Sequence, residues 1–263
     1  MIWFRIFLTL FLLTGPVGST SSAETWRITS LEWPPYSGSN LKGGGKAIAA
    51  LRAVLKEAEI DLEVDFMPWT RAQSVATAPE YVGYFPAWPE EVREGFAASD
   101  TVDLSLVGVL QRKGSNANWA TIEELFKNYR VGFVRSYVYP AELQRQIYRN
   151  YDPEDGAENE HDLARVLDAG RVDVALTDPK VMMHVAKELS LNGIDGNAKI
   201  LQQHPLVLAL SMKEGFEEKR LLLNNLLSQS SDLQLACCLK SEQTLPAGSL
   251  SKPTWNRQTH SVD

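Results

Sequence analysis

The chain is poor in cysteine, in histidine and in basic clusters, and after its first residues no apolar run is long enough to span a bilayer. Its two cysteines, Cys237 and Cys238, are neighbours. Adjacent Cα atoms stand ~3.8 Å apart, below the usual disulfide span. A disulfide framework is therefore excluded, and the pair reads as buried small groups or free thiols. The four histidines, His161, His184, His204 and His260, lack any paired ligand spacing, which argues against a zinc site. Gly43-Gly44-Gly45-Lys46-Ala47 lacks the six-position glycine spacing of a phosphate loop and the Ser/Thr after its lysine. It reads as a turn into a helix, and no cofactor is expected. The formal net charge is -7 and no Lys/Arg run occurs, which argues against a nucleic-acid partner. The acidic balance serves solubility. No ordered set of nucleophile, base and acid is visible, so binding without turnover is expected.

What the chain does have begins at its N-terminus. Arg5 gives a short positive start, and Ile6 to Leu13 is apolar apart from Thr9. Gly15 and Pro16 end the run, and Ser21-Ser22-Ala23 supplies small residues before a cut. Residues 1–23 are read as a signal peptide, with export to the periplasm expected. About 240 residues remain, enough for one large domain or two of ordinary size.

The stretch from Phe66 to Lys113 places aromatic rings, Arg71 and Arg93 where strand-like runs give out. Rings cover the apolar part of a small molecule, and a guanidinium forks onto a carboxylate. That combination suits a small zwitterionic or anionic ligand.

The periodicities describe an α/β chain. Trp26 to Leu31 is a strand, stopped by Pro34 and Pro35. Ile48, Leu51, Leu55 and Ala58 form one helical stripe. Leu62 to Phe66 alternates apolar and acidic residues, as a half-buried strand does. Helix Arg71 to Ala78 and strands Tyr81 to Phe85 and Asp103 to Leu110 follow. A second unit opens at Thr121, whose spacing to Glu124 is that of a capping box. It continues with strand Tyr129 to Val134, helix Ala141 to Arg149 and a helix capped by Asn159 that ends at Gly170. Strand Val172 to Leu176 delivers Thr177 and Asp178, and helix Val181 to Leu189 follows. Ile200-Leu201 and Pro205 to Leu210 read as two strand pieces, and Leu221 to Leu227 as a helix.

The order of EWPPYSG, GGGKAIAALRAVLKEAEI, PWTRA, FPAWPEEVREGFAASD, VGVLQRKGS, TIEELFKNYRVGFVRSYVY, LARVLDAGRVDVALTD and PLVLALSMKEG resembles the bacterial extracellular solute-binding proteins of family 3, the polar amino-acid-binding type of ABC uptake systems. The resemblance runs from about Trp26 to about Leu227. It implies a two-lobed periplasmic-binding-protein-like fold, two open α/β sheets joined by two hinge strands, closing on ligand. The expected division is lobe 1 over 24–112 and 204–240, lobe 2 over 113–203, and a polar tail over 241–263.

Residue by residue, the resemblance implies that Arg93 clamps a ligand carboxylate, that Asp178 meets an ammonium, and that Trp33 covers the ligand. Ser136 and Tyr137 occupy a donor loop in which Arg135 is unusual and reads as a second anion contact. Trp69, Phe85 and Arg71 have a structural reading beside the ligand one, and Tyr36 completes the expected binding set. Phe85, Pro86, Ala87 and Trp88 replace the small residues of the family pattern, which suggests a different or bulkier ligand. The implied partners are an amino acid or organic acid and an inner-membrane ABC permease, with the protein itself a monomer. Two alternatives stand beside this reading. One is a cleft enzyme of the cyclic-acid dehydratase type using Asp178 or Glu32 as acid or base. The other is a stand-alone ligand sensor.

Overall fold

A computed structural model describes residues 24–242, with side chains described through Ser230. The expected leader over 1–23 and the tail from 243 onward lie outside the described residues, as do the side chains of Cys237 and Cys238.

The first half contains β1 (Thr25–Ser30), α1 (Lys46–Lys56), β2 (Asp61–Phe66), α2 (Trp69–Val75), β3 (Gly83–Ala87) and β4 (Phe96–Ala98). Strand β5 (Asp103–Gln111) leads out of it. The second half contains α3 (Ile122–Asn128), β6 (Val131–Gly132), α4 (Ala141–Asn150), α5 (Glu160–Asp168), β7 (Val174–Thr177) and α6 (Pro179–Glu188). Strand β8 (Lys199–Ser211) returns, and α7 (Phe216–Glu242) follows it. The strand order is β2-β1-β3-β8-β5-β7-β6, with β4 also on β8.

Local chemistry explains these elements. In α1 the buried side chains are Ala47, Ile48, Leu51, Val54 and Leu55, one stripe at helical spacing. Polar caps begin three of the second-half helices. The Thr121 hydroxyl accepts from the Glu124 amide at 3.2 Å, while the Glu124 carboxylate accepts from the Ala120 amide at 2.8 Å. The Asn159 side chain accepts from the Asp162 amide at 3.1 Å. Asp178 caps α6, with Pro179 at its first position.

The two expected sheets are joined into one path because β5 and β8 pair antiparallel, from Asp103 opposite Leu206 to Val109 opposite Lys199. The register shifts between Val107 and Gly108. On one side β8 pairs with β3 and β4; on the other β5 pairs with β7. These strands are the two connections between the halves.

Two details differ from the sequence reading. β8 is one strand of 13 residues where two pieces were expected. Gln202 and Gln203 break the apolar pattern because β8 is exposed there, as it crosses between the halves. β4 carries only three residues, too few for any periodicity.

Candidate functional site

Between the halves lies a cleft of about 750 Å³. The first half lines it with Leu31, Glu32, residues 66–71 and Ser74. The second half lines it with residues 134–137 and 158–161. The first-half wall is the end of β2 and the first turn of α2, where Pro68 precedes the helix and aims Trp69 and Arg71 inward. The second-half wall is the loop after β6 and the N-terminus of α5.

Both walls carry cationic groups. Arg71 is exposed and makes no ion pair among the described residues. Arg135 is exposed and, among the described residues, forms an ion pair with Glu158 alone, at 3.8 Å with both side chains well exposed, a contact of little energetic weight. The two arginines thus line one space from opposite halves. Glu32 and Glu158 add exposed carboxylates to the same space, and Glu160 borders it.

Behind the cleft sits a small void of about 10 Å³, lined by Leu31, Trp33, Trp69, Pro86, Trp88, Glu91, Tyr137 and Leu206. Leu31, Trp69 and Tyr137 belong to both spaces. The rings pack edge to face: Trp33 and Trp88 centroids are 6.3 Å apart, and Trp88 and Tyr137 are 5.8 Å apart.

Two buried carboxyl groups belong to this region. Glu91 ends the 3-10 turn Pro89–Glu91, which points Glu90 toward His204 at 2.8 Å and Glu91 into the interior. The Glu91 carboxyl accepts from the Trp69 indole N–H and the Trp88 amide, each at 3.0 Å. Burial pushes it up to about 7, against the opposing pull of those hydrogen bonds. Glu160 accepts from the Trp33 indole N–H at 2.7 Å and from the Tyr137 hydroxyl. Burial raises it above the usual carboxylate range.

The bond from Trp33 to Glu160 joins the halves, as does the bond from the Tyr36 hydroxyl to Asp178 at 2.8 Å. Burial, followed by the nearby Asp178 charge, raises the Tyr36 phenol. Trp33 and Tyr36 stack with centroids 4.8 Å apart, so one aromatic pair carries both bridging donors.

Of the ten residues expected from sequence, Trp69, Arg71, Arg135, Ser136 and Tyr137 line the cleft. Trp33 lines the void behind it. The structure corrects the remaining four. Arg93 is exposed and lines neither space; its amide donates to the Tyr84 hydroxyl at 2.8 Å. The turn that turns Glu91 inward carries Arg93 away. Asp178 is fully buried with its oxygens already engaged: Oδ2 by Tyr36 and the Leu106 amide, Oδ1 by the Lys180 and Val181 amides. It has no lone pair left for an ammonium. Phe85 is core, and Tyr36 is sealed against Asp178. The sequence reading also missed Glu91, which was not among its candidates, and Glu160, for which Asn159 gave only a helix start.

No family model matches the chain, and no curated protein matches it by sequence. Comparison of structures does find likeness. A histidine kinase sensor domain with similarity to periplasmic binding proteins superposes with a TM-score of 0.66 at 16% identity, over 84% of this chain and 96% of the other. An ancestral arginine-binding protein bound to arginine gives 0.62 at 17% identity, over 84% and 98%. The fold is that of the periplasmic binding proteins. The ligand-binding core of GluR0 from Nostoc punctiforme, in complex with L-glutamate, shares it at 0.60 and 15% identity, over 84% and 100%. Within this periplasmic-binding-protein fold, the cleft between the halves lies outside the carboxyl ends of β1 and β2, where open α/β sheets bind ligands.

Proposed function

We propose that the chain is an exported solute-binding protein that captures a small carboxylate-bearing molecule between its halves. One observation carries this reading: a cleft of about 750 Å³ with an exposed arginine on each wall, Arg71 without an ion pair among the described residues and Arg135 held only by a long, exposed contact to Glu158. That volume falls within the range of small-molecule sites, ~300–1,000 Å³. A carboxylate taken by Arg71 and Arg135 together would tie the walls to one another, so binding would favour the closed arrangement. Trp69 and Tyr137 would cover the apolar part of the ligand. The role is capture without turnover, for delivery to an inner-membrane ABC permease, by a monomer located in the periplasm. The amino-acid-binding neighbours support capture of a molecule of this class.

A second reading, ligand sensing, is favoured by the sensor-domain neighbour. Both roles use the same closure. A permease-linked protein is expected to stimulate ATP hydrolysis by its transporter when liganded, whereas a sensor is expected to change the output of a membrane kinase.

The assignment is tested by titration calorimetry against amino acids and organic acids. Arg71→Ala and Arg135→Ala are each expected to weaken carboxylate binding by ~10- to 100-fold, the loss of one charge-assisted bond. Arg93→Ala is expected to stay within about twofold of the parent, since surface charges far from a ligand contribute little. Equal affinity in all three variants would end the carboxylate assignment.

A further inference from the structure

Glu91 is 6% exposed and pairs with no Lys, Arg or His among the described residues. Its nearest charged neighbour in the chain is another acid, Glu90, which is engaged by His204. A buried carboxylate without a counter-charge is costly, and either a proton or a cation relieves it. Glu91 borders a void ringed by Trp33, Trp69, Trp88 and Tyr137. Aromatic faces attract cations, most strongly when water is excluded. Charge and rings therefore favour the same kind of occupant.

The dimensions narrow the occupant further. A void of about 10 Å³ holds one water-sized group. A primary ammonium is that size; a trimethylammonium is far larger. Trp69 and Tyr137 line both the void and the cleft, so the two spaces adjoin there, whereas Arg71 and Arg135 line the cleft alone. An α-amino acid carries its ammonium and carboxylate on one carbon, which leaves it little reach from one space into the other. A molecule with an aliphatic spacer has that reach.

We infer that the preferred ligand is an elongated zwitterion, its primary ammonium in the void beside Glu91 and its carboxylate at Arg71 and Arg135. This rests on the carboxylate reading of the cleft and adds the ligand's second charge and its length.

The test uses ligand-free protein and titration calorimetry with glycine, γ-aminobutyrate, δ-aminovalerate, ε-aminocaproate, pentanoate and the N-trimethyl derivative of δ-aminovalerate. The ω-amino acids with longer spacers are expected to bind at least tenfold more tightly than glycine, pentanoate or the trimethyl derivative. In Glu91→Gln, δ-aminovalerate and pentanoate are expected to bind alike, with a cooperative melt showing that the variant is folded. Glu91→Asp, which keeps the charge but shortens its reach, is expected to retain part of the preference. If pentanoate binds the parent as well as δ-aminovalerate, or if α-amino acids bind best, the inference fails while the carboxylate cleft stands. If none of these carboxylates nor any α-amino acid binds, both fall together.

Discussion

Between pH 5 and pH 8 the ligand-free protein should lose roughly 2–3 kcal/mol of stability through one side chain, and Glu91→Gln should remove that loss. The Glu91 carboxyl is held up to about 7 in the folded protein, chiefly by burial. In the unfolded chain it returns to ~4.3. The folded value is the higher one, so over this range the folded state binds more protons, and stability falls as pH rises. The contribution is complete below the unfolded value and is lost as pH passes through about 7. For a chain of this size the loss corresponds to a drop in Tm of ~5–10 °C. Burial also raises Glu160, which adds a slope of the same sign to the parent protein. The difference between the parent and Glu91→Gln curves isolates Glu91. Thermal melts at half-unit pH steps measure it. Parallel curves would mean that Glu91 is not the buried, uncompensated acid described above.

The second large effect is expected at Asp178. Asp178→Ala should cost ~3–5 kcal/mol, lowering Tm by ~6–20 °C without any ligand present. The carboxylate accepts four hydrogen bonds, from the Tyr36 hydroxyl and the amides of Leu106, Lys180 and Val181. Truncation removes the cap of α6, worth ~1–2 kcal/mol. It also strands buried donors at ~1–3 kcal/mol each. Asp178→Asn keeps one acceptor oxygen and should fall between the two. An unchanged melt accompanied by lost ligand affinity would return Asp178 to the ligand role that its position at the end of β7 first suggested.

The contrast between Asp178 and Arg93 marks what the sequence can reveal. The architecture was largely legible: alternation in Leu62 to Phe66 and caps at Thr121 and Asn159 are local signals, and the structure carries them out. The likeness of fold to periplasmic binding proteins was legible in the order of the segments. The site was legible only as a neighbourhood. Trp69, Arg71, Arg135, Ser136 and Tyr137 do face the cleft. Whether a side chain in a short irregular turn points inward has no period to betray it. Glu91 and Arg93 stand two residues apart; one is buried and the other exposed. The engagement of Asp178 was hidden for another reason. The Tyr36 hydroxyl and the Leu106 amide come from 142 and 72 residues away, and no local pattern announces them.

The antiparallel pairing of β5 with β8 has a consequence for how this chain can be rebuilt. Paired residues such as Val107 and Gln202 are ladder neighbours, ~5 Å apart. Everything between them is, in topological terms, a large insertion into a hairpin. A different module with closely spaced termini could be grafted there without disturbing the order β2-β1-β3-β8. Such a chimera would keep the Arg71 wall and acquire a new opposite jaw, so recognition could be exchanged one half at a time.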